Sequence, residues 1–442
     1  MAVKKRASGR EIFGWAMFDF ANSSYTTVII TVVYCVIFPR LVVGDAPEFR
    51  LGNLLWSTAL SISYLIVLLS APVLGAIMDF TAAKKKFLFG SYVLTVVATA
   101  ALYFVHPGAV VLAMILIIAS NIGFSYSESF VSSFLPDLGP PEDLGKISGY
   151  AWGLGYFGGL TSTAIVMFGL GALVIENYPN LRYVGPITGA FFLVAAIPTF
   201  LWVRDRGTAR ALPPGENYLT IGLNRVRRTF RDIRHYRDLA ILLASFLFAY
   251  AGLSIVISFA FIFGDQIIKW SAMTQMMMFV ITQFTAAGGA FLFGVIQDRW
   301  GAKKTFMATL FIWVAAVSLI YGVDRITMEM NALLGVSWQA EHVFLVIGSL
   351  AGLGLGATQS ACRAMVGLFS PDTKSGEFFG LWNLTGRLAA IMGLMAIGLL
   401  QVNFGLKNSI LLCSAFFVIA VVVVSFVNEE RGRAAAVEHS GE

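Results

Sequence analysis

Four charged side chains stand within long apolar stretches of this sequence: Asp19, Glu128, Arg363 and Arg387. A charge buried in apolar surroundings costs several kcal/mol unless it is paired or reaches water, so each needs a reason. Asp19, Asn22 and Thr26 are spaced by three and four residues and share one helical face, with Tyr25 beside them. Asn121, Ser125 and Glu128 are spaced by four and three, Gln359 and Arg363 by four, and Asn383 and Arg387 lie one turn apart. Trp152 and Tyr156 form an aromatic face at the same spacing. Arginines attract a carboxylate or another anion. Asp19 or Glu128 would meet a cationic group, or carry a proton, because a carboxylate in low dielectric holds its proton more tightly. With both signs of charge present, a zwitterion such as an amino acid fits. The plain alternative is a set of structural ion pairs and packing aromatics.

Nothing in the pattern suggests catalysis. The chain carries no phosphate loop, no paired Cys or His ligands and no nucleophile elbow. Gly352-Leu-Gly-Leu-Gly356 imitates a nucleotide fingerprint, but it sits inside an apolar run, where close helix packing is the better account. Cys35, Cys362 and Cys413 lie far apart in such runs and read as small packing residues, and the four histidines form no cluster. No metal, cofactor or enzymatic activity is expected.

The elements that must position these residues follow from composition. Of 442 residues, 57% are hydrophobic and 13% charged, against about a quarter charged in a soluble protein. Twelve apolar runs of about 20 residues are long enough to cross a hydrocarbon core. They lie near 14–38, 54–78, 87–105, 109–134, 148–173, 184–203, 239–263, 274–297, 305–322, 343–368, 378–401 and 408–427. Each must be a helix, since lipid offers no hydrogen bonds to an open backbone. The first run is too long and too polar for a cleaved signal, so it is expected to remain as the first helix. With the N-terminus in the cytoplasm, 23 Lys and Arg residues fall on the cytoplasmic side and 6 on the other, which places both termini inside. The net charge of +6 is then a topology signal, and no nucleic-acid partner is needed.

The runs are organised as a repeat. Gly75-Ala-Ile-Met-Asp79 with Lys84 and Lys85 recurs 219 positions later as Gly294-Val-Ile-Gln-Asp298, Arg299, Lys303 and Lys304. Phe134-Leu-Pro136-Asp137, followed by Gly145, Gly149, Trp152 and Gly155, recurs as Phe369-Ser-Pro371-Asp372, followed by Gly376, Gly380, Trp382 and Gly386. Aligning the two prolines sets Glu128 opposite Arg363. In a parallel repeat the two occupy equivalent places in two bundles, and a bridge from Glu128 to Arg363 would hold the cytoplasmic side closed.

Twelve spans, six-plus-six repetition and the Gly-xxx-Asp loop resemble the major facilitator superfamily. The second copy is the fuller match, because the first has Phe80 and Ala82 where a basic residue and a glycine are usual. Narrower likeness comes from Asp19-Phe-Ala-Asn22-Ser-Ser-Tyr25, Ser148-Gly-Tyr-Ala-Trp152-Gly-Leu-Gly-Tyr156, Gln359-Ser-Ala-Cys-Arg363 and Glu377-Phe-Phe-Gly380-Leu-Trp382-Asn383-Leu-Thr-Gly386-Arg387. Together these resemble the UMF1 group, bacterial relatives of the autophagy-related vacuolar amino-acid effluxers. The resemblance implies an all-α membrane protein of two pseudo-symmetric six-helix bundles that moves a small polar or zwitterionic solute by alternating access, with a proton as possible partner. It also implies that the loop acids Asp79 and Asp298, with Gly75, Lys84, Gly294, Arg299 and Lys303, act as a conformational switch by meeting helix N-termini.

The expected bundles cover residues 1–203 and 239–428, with a tail over 429–442. Between them, 204–238 carries an apolar stripe, Leu219, Leu223, Val226, Phe230 and Ile233, ringed by Arg225, Arg227, Arg228, Arg231 and Arg234. Such a helix suits the anionic inner leaflet of a bacterial inner membrane. A monomer suffices for this architecture. Two rival readings keep the spans: a carrier of a lipid or amphiphile, since the central helices are rich in Phe and Met, and a non-transporting receptor or scaffold that docks through the basic helix.

Overall fold

An apolar run in lipid must satisfy its own backbone, and the helix is the form that does so locally. The computed structural model describes residues 6–438 except 140, 207–216, 223, 225–226, 228–235 and 370–374, and these described residues contain helices and no strand. The first six spans begin with α1 (Gly9–Ser24), which continues through a wider helical stretch, Tyr25–Val32, toward Val43. Then come α2 (Arg50–Thr81), α3 (Lys84–Ala100), α4 (Val110–Ser132) and α5 (Pro141–Leu170). The sixth span is α6 (Val184–Ala195) followed by α7 (Ile197–Trp202), parted where Pro198 opens the second piece. The second series comprises α8 (Arg237–Phe263), α9 (Ala272–Trp300), α10 (Ala302–Tyr321), the short α11 (Val323–Leu334), α12 (Ala340–Phe369), α13 (Ser375–Cys413), α14 (Ala415–Ser425) and a terminal α15 (Glu429–Glu438).

Among the described residues eleven helical stretches are long and apolar enough to cross a membrane. The last of them, Phe378–Ser425, runs for 48 residues, about 70 Å of straight helix against a hydrocarbon core of about 30 Å. Gly405 resolves the excess. Its backbone sits at φ 73°, ψ 161°, outside the helical region, a conformation open to glycine, so the stretch parts there into two crossings. The sequence places that break between 401 and 408, which is how twelve expected runs become eleven continuous stretches.

Two compact units divide the chain, Met1–Arg225 and Val226–Glu442. Within the first, α1 packs along α5, α2 along α4, α3 along α4 and α6, and α6 and α7 on α1. Within the second, α8 packs along α13, α9 along α12, α10 along α12 and α14, and α14 on α8. The order of neighbours is the same, which is the parallel repeat in three dimensions. Glycines permit these contacts. A methyl group on Gly158 of α5 would lie 1.9 Å from the Phe20 carbonyl oxygen of α1, and one on Gly393 of α13 would lie 2.2 Å from that of Ala251 on α8. Gly356 of α12 meets the Ala286 carbonyl at 1.8 Å and Gly289 of α9 meets that of Leu353 at 2.2 Å by the same construction. Without a hydrophobic force between helices in lipid, such backbone approach supplies the attraction.

Each unit is also fastened by a buried acid at the start of its first helix. In the first, the Glu11 carboxylate accepts from the Arg204 backbone N–H at 3.1 Å and from Arg206 Nη2 at 2.6 Å, both just beyond α7. In the second, Asp238 accepts from the Asn428 backbone N–H at 2.7 Å and from Arg431 Nε at 2.6 Å, just beyond α14. A second acid then caps the third helix of each unit. Asp205 accepts from the Lys85 backbone N–H at 3.1 Å, and Glu429 from that of Lys303, also at 3.1 Å. Burial alone would push the Glu429 carboxyl up, but the Lys303 and Ala302 N–H groups and the Arg433 guanidinium hold it below its ordinary range.

The basic helix expected over 219–234 lies largely outside the described residues. Its start, 218–222, is helical, and the Tyr218 ring stands 6.4 Å from that of Phe80.

Two outcomes follow for thermal unfolding in detergent. Glu11→Ala removes the acceptor of two hydrogen bonds while the Arg206 left behind reaches water, and is expected to cost about 2 kcal/mol, with Asp238→Ala changing stability in the same direction. Because the Glu429 carboxyl is held low in the folded state, its contribution is present above the ordinary carboxylate pKa and fades as pH falls through the folded value. Glu429→Gln should therefore destabilise at pH 7 and make little difference in strong acid.

Candidate functional site

In the first unit Trp15 of α1 and Tyr25 at its end reach α4. Trp15 Nε1–H donates to the Val131 carbonyl at 2.8 Å, and Tyr25 Oη lies 2.8 Å from Ser120 Oγ with its ring stacked on Phe124, centroids 5.0 Å apart. Asp19 and Glu128 are half-buried within these helices, and Asn22 is buried. Asn121 Nδ2–H donates to Ser63 Oγ at 2.5 Å, tying α4 to α2, while the Oδ1 atoms of Asn22 and Asn121 are both buried without a donor. On α5, Trp152 and Tyr156 lie with ring centroids 6.2 Å apart. Trp152 is 44% exposed, and Gly155, Gly158 and Gly159 hold its helix against α1.

The second unit gathers aromatic rings around a cation. Arg363 of α12 places its guanidinium carbon 5.7 Å from the centre of the Trp382 ring on α13, within reach of a cation–π attraction. Phe246 of α8 packs on Trp382 at 5.4 Å and on Tyr250 at 5.2 Å, and Phe379 lies 6.2 Å from Trp382. A methyl on Gly386 would lie 3.7 Å from Phe246 and 3.8 Å from Tyr250. Gln359 and Arg387 are half-buried and Asn383 is exposed. Trp382, Phe246 and Phe379 are absent from the set picked by charge and spacing. Trp382 stood in the sequence only as a marker of the repeat, and Phe246 falls in an apolar run where no charge singles it out. Gly352 and Gly356 of the fingerprint-like run meet Thr282, Thr285 and Ala286 of α9, which is packing.

The loop copies keep their spacing in sequence but not their roles. Lys84 Nζ donates to Asp137 Oδ2 at 2.8 Å and to the Ser133 carbonyl at 2.9 Å, tying α3 to the end of α4. Lys85 Nζ instead donates to the Val203 carbonyl at 2.9 Å, and Lys303 Nζ to that of Ser425 at 2.7 Å. Lys303 thus answers to Lys85, and the match of Lys84 to Lys303 is off by one. The physical reason is turn length: Ala82 and Ala83 separate α2 from α3, with Ala82 at φ 50°, whereas Gly301 alone, at φ 87°, separates α9 from α10. Gly75 and Gly294 each have open space where a side chain would stand, and Arg299 is exposed. The side chains of Asp79 and Asp298 lie outside those described.

Comparison with known proteins places this geometry. The family described as vacuole effluxer Atg22 like matches residues 57–145 and 141–437. An uncharacterized MFS-type transporter, YxiO, of Bacillus subtilis is 26% identical over 94% of this chain and 94% of its own. Autophagy-related protein 22-1 of Aspergillus niger is 22% identical over 67% of this chain and 49% of its own length. Among solved structures, a D-xylose-proton symporter superposes with a TM-score of 0.69 at 14% identity, covering 96% of this chain and 98% of that one.

The glycines separate packing from switching. Gly158→Ala and Gly356→Ala, which have no room for a methyl group, should lower the yield of folded protein and its unfolding temperature. Gly75→Ala and Gly294→Ala should leave both unchanged in detergent, so any loss of transport in those two variants reports on the switch.

Proposed function

From the premise that the chain belongs to the Atg22-like effluxer family of major facilitator transporters, we propose that its cargo is a small zwitterion, most simply an amino acid. Alternating access moves it, with a proton as the coupled ion. The observation that carries this reading is the segregation of intramembrane charge. Asp19 and Glu128, each a turn or more inside its helix, belong to the first unit, and Arg363 and Arg387, placed likewise, belong to the second. Acids offer acceptors to an ammonium group; guanidinium groups offer paired N–H donors to a carboxylate.

The aromatic cluster refines the anion side. The Arg363 guanidinium stands over the Trp382 indole ring, and a planar guanidinium suits bidentate recognition of a carboxylate. Phe246, Tyr250 and Phe379 around that ring supply an apolar wall for the side chain of an amino acid. A carboxylate in low dielectric also exchanges its proton in a useful range, which is the reason a proton gradient is the proposed driving force.

Purified protein should be screened by thermal shift against amino acids, peptides, sugars and lipids at two pH values, since a ligand that binds the folded state raises its stability. The expected hits are amino acids, and in proteoliposomes their flux should respond to an imposed proton gradient. Flat responses across the amino acids, or flux indifferent to the gradient, would contradict this reading.

A further inference from the structure

The third and sixth spans of the first unit run antiparallel along one seam. Lys85 Nζ donates to the Val203 carbonyl at 2.9 Å, the Phe89 and Phe200 rings lie 5.4 Å apart, and Tyr92 Oη donates to the Leu193 carbonyl at 2.8 Å. Methyl groups on Gly189 and Gly185 would lie 3.1 Å and 2.3 Å from the carbonyl oxygens of Val96 and Thr99, so the contact continues. At the head of this seam lies an open recess of about 610 Å³, bordered by Lys85, Lys86 and Asp205 and by the rings of Phe89 and Phe200. Two apolar tracks leave it in the same direction. On α3, Phe89, Val93 and Val97 follow at intervals of four, and on α7 and α6 so do Leu201, Ile197 and Leu193; all six are exposed. The charges at the recess leave a remainder. Asp205 offsets one of the two lysines, and it already accepts the Lys85 backbone N–H at 3.1 Å. The carbonyl that holds Lys85 Nζ does not neutralise it, and Lys86 is exposed.

We propose that this recess seats the head group of one glycerophospholipid whose phosphodiester is its single net charge, with the acyl chains on the two tracks. A basic recess between membrane helices is the setting in which anionic head groups are held. The phosphate meets Lys86 and Lys85, whose compact ammonium groups act as point charges, and Phe89 and Phe200 wall the glycerol end. One negative charge matches the one positive charge left over. A phosphatidylcholine brings its own trimethylammonium beside Lys86 and so has no net attraction, while free phosphate makes no use of the rings or the tracks. The repeat counterpart differs. Since Lys303 answers to Lys85, Lys304 answers to Lys86, but the recess at that turn of the second unit is bordered by Gln297, Ala302, Leu368 and Arg433 instead. Cargo plays no part in this seat. A lipid bound there lies on the two helices that Lys85 and Asp205 fasten, and it stabilises the folded protein by binding it.

The test is thermal unfolding of purified full-length protein in a neutral detergent, with dioctanoyl phosphatidylglycerol, dioctanoyl phosphatidylcholine or glycerol 3-phosphate at one ionic strength. The phosphatidylglycerol should raise the unfolding temperature saturably, and the other two should not. Affinity is read from the lipid concentration at half the shift, so a variant's own stability does not enter. Lys86→Gln should weaken it about fivefold, the share of one lysine at an anionic lipid surface. Lys86→Arg, which keeps the charge, should retain it, and Lys304→Gln should leave it unchanged. No shift with phosphatidylglycerol, or an equal one with phosphatidylcholine or glycerol 3-phosphate, overturns the seat. Equal weakening by Lys304→Gln does so too, since it would mark a general attraction to the basic surface.

Discussion

An ionised group in hydrocarbon loses its hydration, and helix packing in lipid, which lacks the hydrophobic driving force of water, does not readily make up the loss. That constraint orders the charges of this molecule. At one end of each unit the acids Glu11 and Asp238 are almost wholly buried, but each is met by an arginine and a backbone N–H within 3.1 Å. Deeper in the helices, charge is confined to a few residues whose signs differ between units: carboxylates in the first, arginines in the second. A charge retained at that depth is a functional marker by default.

The remaining architecture keeps those residues in register. Close glycine contacts lock α1 to α5 and α8 to α13, and the acid clasps bind the first helix of each unit to the end of its sixth span. Lys85 and Lys303 extend the clasp to the third helix, each through its own backbone N–H and through its Nζ. Three helices of each unit are therefore fastened at one end as a single body. Small shifts within a unit are resisted by packed, hydrogen-bonded contacts. The residues proposed to meet cargo stand on these braced helices, where a rigid backbone can hold their spacing.

Much of this was legible in the sequence, because membrane spans are long and their periodicity is simple. The duplicated loop and Pro-Asp anchors gave the parallel repeat, and the same order of helix neighbours appears in both units. Other features were hidden for physical reasons. The partners in the Glu11 and Asp238 clasps are separated by more than 190 residues, so no local spacing announces them; the only trace was an acid opening the first helix of each half and an Asp205-Arg206 or Glu429 to Arg431 pattern closing it. The one-residue slip of the lysines escaped because spacing was preserved by accident of turn length. Trp382 escaped as a partner of Arg363 because two helices, α12 and α13, must pack before ring and guanidinium meet.

The central claim is that the two signs of charge serve the two poles of one cargo. Its most direct measurement is ligand-observed NMR of an amine-only and an acid-only analogue of the transported solute on Asp19→Asn and Arg363→Gln proteins. The account predicts that Asp19→Asn loses the amine and keeps the acid, and that Arg363→Gln does the reverse. Equal loss of both analogues in both variants, or no loss in either, would contradict it.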